Sequence, residues 1–338
     1  MHGPLLESAI DRLASEIETK VGVRLLDPML LKLRRILSAS AAEDWGAWVE
    51  RLVRAPHDAP EWLALIESIL NHETCFYRRP PQWIAVAEVL DEILAQRASL
   101  RHEAGHSVQT LGTPHEIALS FAGDSPIQLS MWSAGCSSGE EAYTLAMVGL
   151  EALERRGHYL RASSDAPSQA ASRQAGGLRV VGSDVSRIMV QLAQRGEYRF
   201  GTMGADRELP TRFRKHFEPI GDPVSRVENA SMYRVSDVLR SSCQFRRHNL
   251  LFDPPPLYPV DLILCQNVLV YCSERQRSLI LSRLGAALRP GAFLMLGLTD
   301  PAPPSGFELS IRAGTLVYKR VDDRIAPYRS LVNAAALP

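Results

Sequence analysis

The stretch Met131 to Met147, MWSAGCSSGEEAYTLAM, constrains this chain more than any other: an apolar run passes through a loop of small residues directly into a helical pattern. A strand, a tight loop and a helix in that order place a ligand at the loop. Ala134, Gly135, Ser137, Ser138 and Gly139 let the backbone approach it closely. A pyrophosphate-binding loop would offer bare N–H groups at the helix start, often with a basic residue. Here Glu140 and Glu141 occupy the first turn instead. They favour a ligand without phosphates that carries positive charge, and S-adenosylmethionine, with its sulfonium and α-ammonium groups, fits. Acidic residues also suit the helix dipole at that position, so the loop alone leaves both explanations open.

The rest of the chain supplies a setting for that loop. At 338 residues there is core enough for one large or two moderate domains. Thirty-eight basic residues balance thirty-eight acidic ones, so no overall charge argues for nucleic acid or a membrane surface. The start lacks an apolar signal core, and no apolar run approaches roughly 18 residues, which gives a cytoplasmic enzyme as the expectation. The five cysteines lack paired zinc-type spacing and read as buried free thiols, with no metal site.

Helical spacing dominates the first hundred residues. Leu6, Ile10, Leu13 and Ile17 form one apolar face, Leu63, Ile66 and Leu70 another, and Val86, Leu90, Ile93 and Leu94 a third. Arg34 and Arg35 lie on a helix with a strong apolar side, either as a solvated face or as a surface for an acidic helical substrate. The segment NHETCFYRRPPQW breaks this pattern, because Pro80-Pro81 prevent a helix from running through it. The expected organisation is a helical N-terminal domain over residues 1–97, a linker over 98–127, a ligand-binding domain over 128–321 and a loosely held tail over 322–338.

Within the ligand-binding domain, strand and helix alternate. Residues 155–177 read as a surface insertion rich in Ser, Ala, Gln and Gly. Arg179 to Asp184 is a strand ending in an acid, a position suited to a ribose diol, and Ser186 caps the next helix. Dinucleotide enzymes share that acid, although no GxGxxG is present to support a nicotinamide reading. Residues Gly201 to about 247, with Met232–Val235 and Cys243–Phe245, suggest a small antiparallel excursion. Val260–Cys265 is a buried strand, Ser273 and Gln276 make a capping box, Pro290-Gly291 end the following helix, and Ala292–Leu296 is a strand. A hairpin turning at Ala313-Gly314 completes the pattern.

Five segments in this order, HETCFYR, WSAGCSSGEEAYTLAM, GSDVSRIMVQLAQRGEY, HNLL, and LCQNVLVY followed by LRPGAFLMLGLTD, resemble the CheR family of chemotaxis receptor methyltransferases over roughly residues 20 to 320. The resemblance implies an α/β fold, a class I S-adenosylmethionine-dependent methyltransferase. Its Rossmann-like doubly wound sheet ends in an antiparallel strand, follows a small all-α domain and carries a β-subdomain at about 201–247. It implies methyl transfer from S-adenosylmethionine to glutamate carboxylates on the cytoplasmic helices of chemoreceptors, with a receptor C-terminal peptide as a partner of the β-subdomain. By position, Thr74 and Arg78 fall beside the cofactor and the methyl group, Glu140 at the amino-acid end, Asp184 at the ribose, and Asn249 and Leu250 at the adenine. Gln266 and Asn267 stand where the family has an arginine and an asparagine, His72 where it has an asparagine, and Tyr271 is the aromatic hydroxyl near the transferring methyl. Arg78 and Tyr271 are thus the expected catalytic pair. Cys272 replaces an aromatic, and Leu298 and Asp300 fall where a histidine and a glutamate are common. The neutral Gln266 also keeps open a non-catalytic module that binds the cofactor or its product.

Overall fold

The computed structural model describes residues 3–39, 45–56, 59–70, 73–108, 128–157, 177–220, 231–303 and 305–321. Four helices open the chain: α1 (Gly3–Val21), α2 (Asp27–Ala39), α3 (Trp45–Arg54) and α4 (Pro60–Ile69). Their apolar faces meet, with Ile10, Leu13, Ile17, Leu33, Trp62 and Ile66 buried in one cluster. Burying a side chain of this size stabilises by about 1.5–3 kcal/mol. Arg34 and Arg35 are both exposed on the outside of α2, and Arg34 donates to Glu7 of α1 at 2.7 Å.

The helix α5 (Pro80–Val108) begins at the proline pair, where a missing N–H costs nothing. It continues well past Ala98, so the first part of the expected linker is helical; residues 109–127 lie outside the described residues. The polar residues after Ala98 removed the apolar period from view without breaking the backbone pattern. The buried face of α5 also belongs elsewhere than expected. Trp83, Val86, Val89 and Leu90 join the core of the main sheet, not that of the four preceding helices.

That sheet contains β1 (Leu129–Ala134), β2 (Leu178–Asp184), β6 (Cys243–Arg247), β7 (Val260–Cys265), β8 (Leu288–Leu296), β9 (Phe307–Arg312) and β10 (Thr315–Arg320). Their order is β6-β2-β1-β7-β8-β10-β9. The first five are parallel, while β10 runs antiparallel to β8 and pairs with β9 in a hairpin. Ala313 and Gly314 both have positive φ in its turn, as a two-residue hairpin requires. Alternation divides the strands between two cores. Met131, Leu262 and Leu264 face α5 and α6 (Glu140–Arg155), whereas Trp132, Ile263 and Cys265 face α9 (Glu274–Ala287). This is the α/β methyltransferase fold that the sequence implied, with helices on both faces and an antiparallel last strand.

The helix α7 (Arg187–Arg195) is capped by Ser186, whose Oγ accepts from the Met189 N–H at 3.2 Å. The Gln276 side chain likewise accepts from the Ser273 N–H at 2.8 Å at the start of α9. Two expected boundaries move. β8 runs from Leu288 through Pro290-Gly291, so the strand begins where a helix end was expected. Cys243–Phe245 is not part of the antiparallel excursion but the parallel edge strand β6, reached through the short helix α8 (Asp237–Ser242). Alternation over three residues does not reveal which sheet a strand joins. The excursion itself is a separate antiparallel sheet of β3 (Glu197–Phe200), β4 (Phe217–Ile220) and β5 (Ser231–Val235), in the order β3-β5-β4. Residues 158–176 of the expected insertion and the tail 322–338 lie outside the described residues. All five cysteines are buried and free.

Candidate active site

In a parallel sheet, ligands bind beyond the carboxyl ends of the strands, where the strand order reverses. Here the reversal lies between β1 and its neighbours β2 and β7, and a cleft opens there. Gly135, Cys136 and Ser137 after β1, Asp184 at the end of β2, His248 to Leu251 after β6 and Gln266 to Val268 after β7 all line it.

The loop after β1 spends its amides internally. The N–H groups of Gly135 and Cys136 donate to the Ser183 carbonyl at 2.8 and 2.9 Å, and that of Gly139 donates to Cys136 at 3.0 Å. The Ser137 N–H donates to Asp184 Oδ2 at 2.9 Å. A phosphate cradle needs such groups pointing outward. These four amides are therefore not turned toward a phosphate. Asp184 is fixed at its other oxygen by the Ser186 N–H at 2.9 Å, so its carboxylate is anchored between the loop and α7.

The acidic pair separates as neighbours on a helix must, about 100° apart. Glu140 accepts from Ser138 Oγ at 2.7 Å, is buried, and does not line the cleft. The sequence placed Glu140 at the ligand, whereas the member of the pair that lines the cleft is Glu141, hydrogen-bonded by Ser133 Oγ at 2.7 Å. Burial pushes its carboxyl up to about 7, against the opposing pulls of Ser133 and the Arg78 guanidinium.

Thr74 and Arg78 face the cleft from the segment between α4 and α5. The Arg78 Nη1 donates to the Glu73 carbonyl at 3.2 Å, and its own carbonyl accepts from Trp83 Nε1 at 2.9 Å. His72 lies outside the described residues. Gln266 and Asn267 line the cleft after β7, with Asn267 at a φ of 58°. Leu250 lines it too, but the Asn249 side chain is committed within the protein. Its Nδ2 donates to the Val21 carbonyl and its Oδ1 accepts from the Leu251 N–H, each at 2.9 Å. Asn249 thereby ties the end of α1 to the adenine side of the cleft expected from the sequence. Tyr271 closes a 3-10 turn from Leu269, lines the cleft and packs against the helical cluster.

Sequence reasoning missed the strap Val21-Gly22-Val23, which covers the cleft from the helical side, and the cleft-lining His248. Gly22 sits at a φ of 80° with Leu251 against the place a Cβ would fill. It reads in sequence only as a helix stop. His248, buried and stacked edge-on against Trp132, carries no local signal apart from its place in HNLL.

The family model for the CheR methyltransferase SAM binding domain matches residues 115–305. The chain belongs to the CheR methyltransferase family. Chemotaxis protein methyltransferase 1 of Pseudomonas aeruginosa is 32% identical over 51% of this chain and 55% of its own length. A chemotaxis protein methyltransferase of Klebsiella aerogenes is 26% identical over 88% of this chain and 84% of its own. A 104.1 kDa protein of Rhodobacter capsulatus, described as uncharacterized and lying in the hypE 3′ region, is 29% identical over 79% of this chain. The chain spans 22% of that protein's length, and about half of the Pseudomonas aeruginosa relative. A solved TehB-like SAM-dependent methyltransferase from Corynebacterium glutamicum covers 68% of this chain and 95% of its own, at 14% identity and a TM-score of 0.30, a likeness too loose to bear on function. S-adenosylmethionine is the cofactor of this CheR domain, and the chemistry of the cleft fits it: inward-turned loop amides, an anchored Asp184, and a half-buried Glu141 in place of a phosphate-binding cation. Among the described residues no His, Cys, Asp and Glu cluster could hold a metal ion, and no helix is long and apolar enough to cross a membrane.

Proposed function

We propose that this chain transfers a methyl group from S-adenosylmethionine to glutamate side-chain carboxylates on the cytoplasmic helices of chemoreceptors, giving glutamate 5-O-methyl esters. The reading is carried by one observation: Arg78 and Tyr271 line the same cleft as Asp184 and the loop after β1, in a chain of the CheR family. When bound, the cofactor supplies an electrophilic methyl on a sulfonium. A substrate glutamate, with an ordinary pKa of about 4.3, meets it already ionised, so the protein needs no general base. Arg78 presents a planar pair of donors that holds a carboxylate in line with the methyl. Tyr271 aims its hydroxyl or ring at the same place, and the strap from α1 helps to exclude water. Asp184 holds the ribose diol, Thr74, Gln266 and Asn267 contact the cofactor, and Leu250 packs against the adenine. The small sheet β3-β5-β4 is the surface for a receptor C-terminal peptide. Transfer of tritiated methyl groups to a receptor cytoplasmic fragment, released by mild base as volatile methanol, tests the reading. Folded protein that yields no base-labile label would count against it.

In the same reading Glu141, which lines the cleft, is the carboxylate that meets the cofactor's ammonium. Its raised pKa has a signed consequence. The free protein carries no burial cost for Glu141 below the unfolded carboxyl range, near 4.5, and acquires one as pH rises through about 7. A ligand ammonium is held by the ionised form, so affinity rises with pH over the same window. Adenosylhomocysteine should bind about tenfold more tightly at pH 8 than at pH 6, and Glu141→Gln should bind weakly with a flat profile. Isothermal calorimetry across that range decides it; a parent profile as flat as the variant's would remove Glu141 from the ammonium site.

A further inference from the structure

The segment that presents Arg78 has an unusual backbone. Tyr77 and Arg79, on either side of it, have φ of 59° and 60°, in the left-handed region that residues with a Cβ occupy at a cost. Such an arch persists only where its surroundings fix it, and here two walls do so. On the main-sheet side the Tyr77 N–H donates to Thr144 Oγ1 at 3.1 Å, one turn along α6 from Glu140. On the small-sheet side the Phe76 N–H donates to the Ala205 carbonyl at 2.8 Å, and the Phe76 ring meets Tyr198 and Phe217 edge-on with centroids 4.7 and 4.9 Å away.

A further bond comes from a charged side chain. Glu208, in the connection between β3 and β4, accepts the Arg79 N–H on Oε2 at 2.8 Å and the Cys75 thiol on Oε1 at 3.5 Å. One carboxylate thus spans the arch from Cys75 to Arg79, and Arg78, between them, lines the cleft. Glu208 itself does not line the cleft.

We infer that Glu208 is a positioning residue for Arg78: it holds the left-handed backbone at Arg79 so that the guanidinium points into the cleft beside Glu141. The inference rests on the reading of Arg78 as the group that orients the substrate carboxylate. A relaxed arch would swing Arg78 away without removing its charge from the protein. The effect should therefore appear in turnover and in the field Arg78 exerts on Glu141, whose carboxyl that guanidinium pulls down.

The requirement is an acceptor at the right reach more than a negative charge, which separates three variants. Glu208→Gln keeps an oxygen at the same length and should stay within about threefold of the parent in kcat. Glu208→Asp withdraws the oxygen by a methylene and Glu208→Ala removes it. Both should lower kcat, Ala by about tenfold, while adenosylhomocysteine affinity at pH 8 stays within about twofold. In an Arg78→Ala background Glu208→Ala should cost no further turnover, since the group it positions is gone. Independently of activity, the pH midpoint for adenosylhomocysteine binding should rise in Glu208→Ala toward that of Arg78→Ala. If Glu208→Ala does not fold, the order of Gln above Asp carries the test. Turnover lost in Arg78→Ala but intact in Glu208→Ala and Glu208→Asp overturns the inference alone, as does Asp outperforming Gln or additive losses in the double variant. Turnover that survives Arg78→Ala overturns the reading of Arg78 beneath it.

Discussion

Arg78→Ala should lower the rate of receptor methylation about a hundredfold at every ionic strength, with a much smaller loss of cofactor affinity. A paired contact from guanidinium to carboxylate is a charge-assisted bond that the alanine variant lacks entirely, and bonds to charged groups contribute on the order of 1.5–3 kcal/mol each. In the proposed reaction the contact is made to the reacting carboxylate, so its loss should fall on kcat/KM and kcat together. Salt should not rescue or worsen the effect, since a partly enclosed pair is screened far less than an exposed one. A second sign comes from Glu141. Without the neighbouring guanidinium its carboxyl moves above about 7, and the rise of adenosylhomocysteine affinity with pH moves up with it. Single-turnover rates at two salt concentrations check the first effect. A variant that methylates like the parent would leave Arg78 as a surface partner of Glu73.

Asp184→Ala should weaken adenosylhomocysteine binding by at least the contribution of a charge-assisted pair, on the order of 1.5–3 kcal/mol. The structure adds a cost that the sequence did not show. Asp184 also receives the Ser137 and Ser186 amides, so its removal loosens the loop after β1 and the start of α7. Asp184→Asn separates the two contributions, because its remaining oxygen still accepts one of those amides. The asparagine variant should keep most of the thermal stability and still bind weakly. Calorimetry beside thermal melts measures both quantities. Parent-like affinity in either folded variant removes Asp184 from the ribose.

The sheet and its helices were readable in sequence because each strand carries alternation or a continuous apolar run, and each helix a stripe or a cap. Ser186 and the Ala313-Gly314 turn show how far such local chemistry reaches. What was not readable depends on tertiary placement. Cys243–Phe245 has the pattern of a strand, but only pairing with β2 assigns it to the main sheet. The α5 stripe is plain, yet nothing local says that it faces α6 instead of the four preceding helices. The site divides in the same way. Small residues and acids after β1 and β2 announced the cleft, while the choice between Glu140 and Glu141 depends on a rotation of one residue that no spacing rule resolves. Gly22 lines the cleft and Glu208 braces the segment that carries Arg78, and neither role is visible until the chain closes around the cleft. Arg34, readable as a free cation for an acidic helix, is engaged by Glu7.

The central claim concerns a chemical bond on a partner protein, so the most direct measurement looks for it there. Receptor cytoplasmic fragments co-expressed with this chain, or with its Arg78→Ala variant, can be digested and sequenced by mass spectrometry for glutamyl methyl esters. Esters on specific glutamates of the receptor helices are expected with the parent chain, and strong depletion with the variant. Receptor fragments that remain unmethylated beside folded parent protein that binds S-adenosylmethionine would contradict it, and would leave the chain as a module that binds the cofactor without transferring its methyl group.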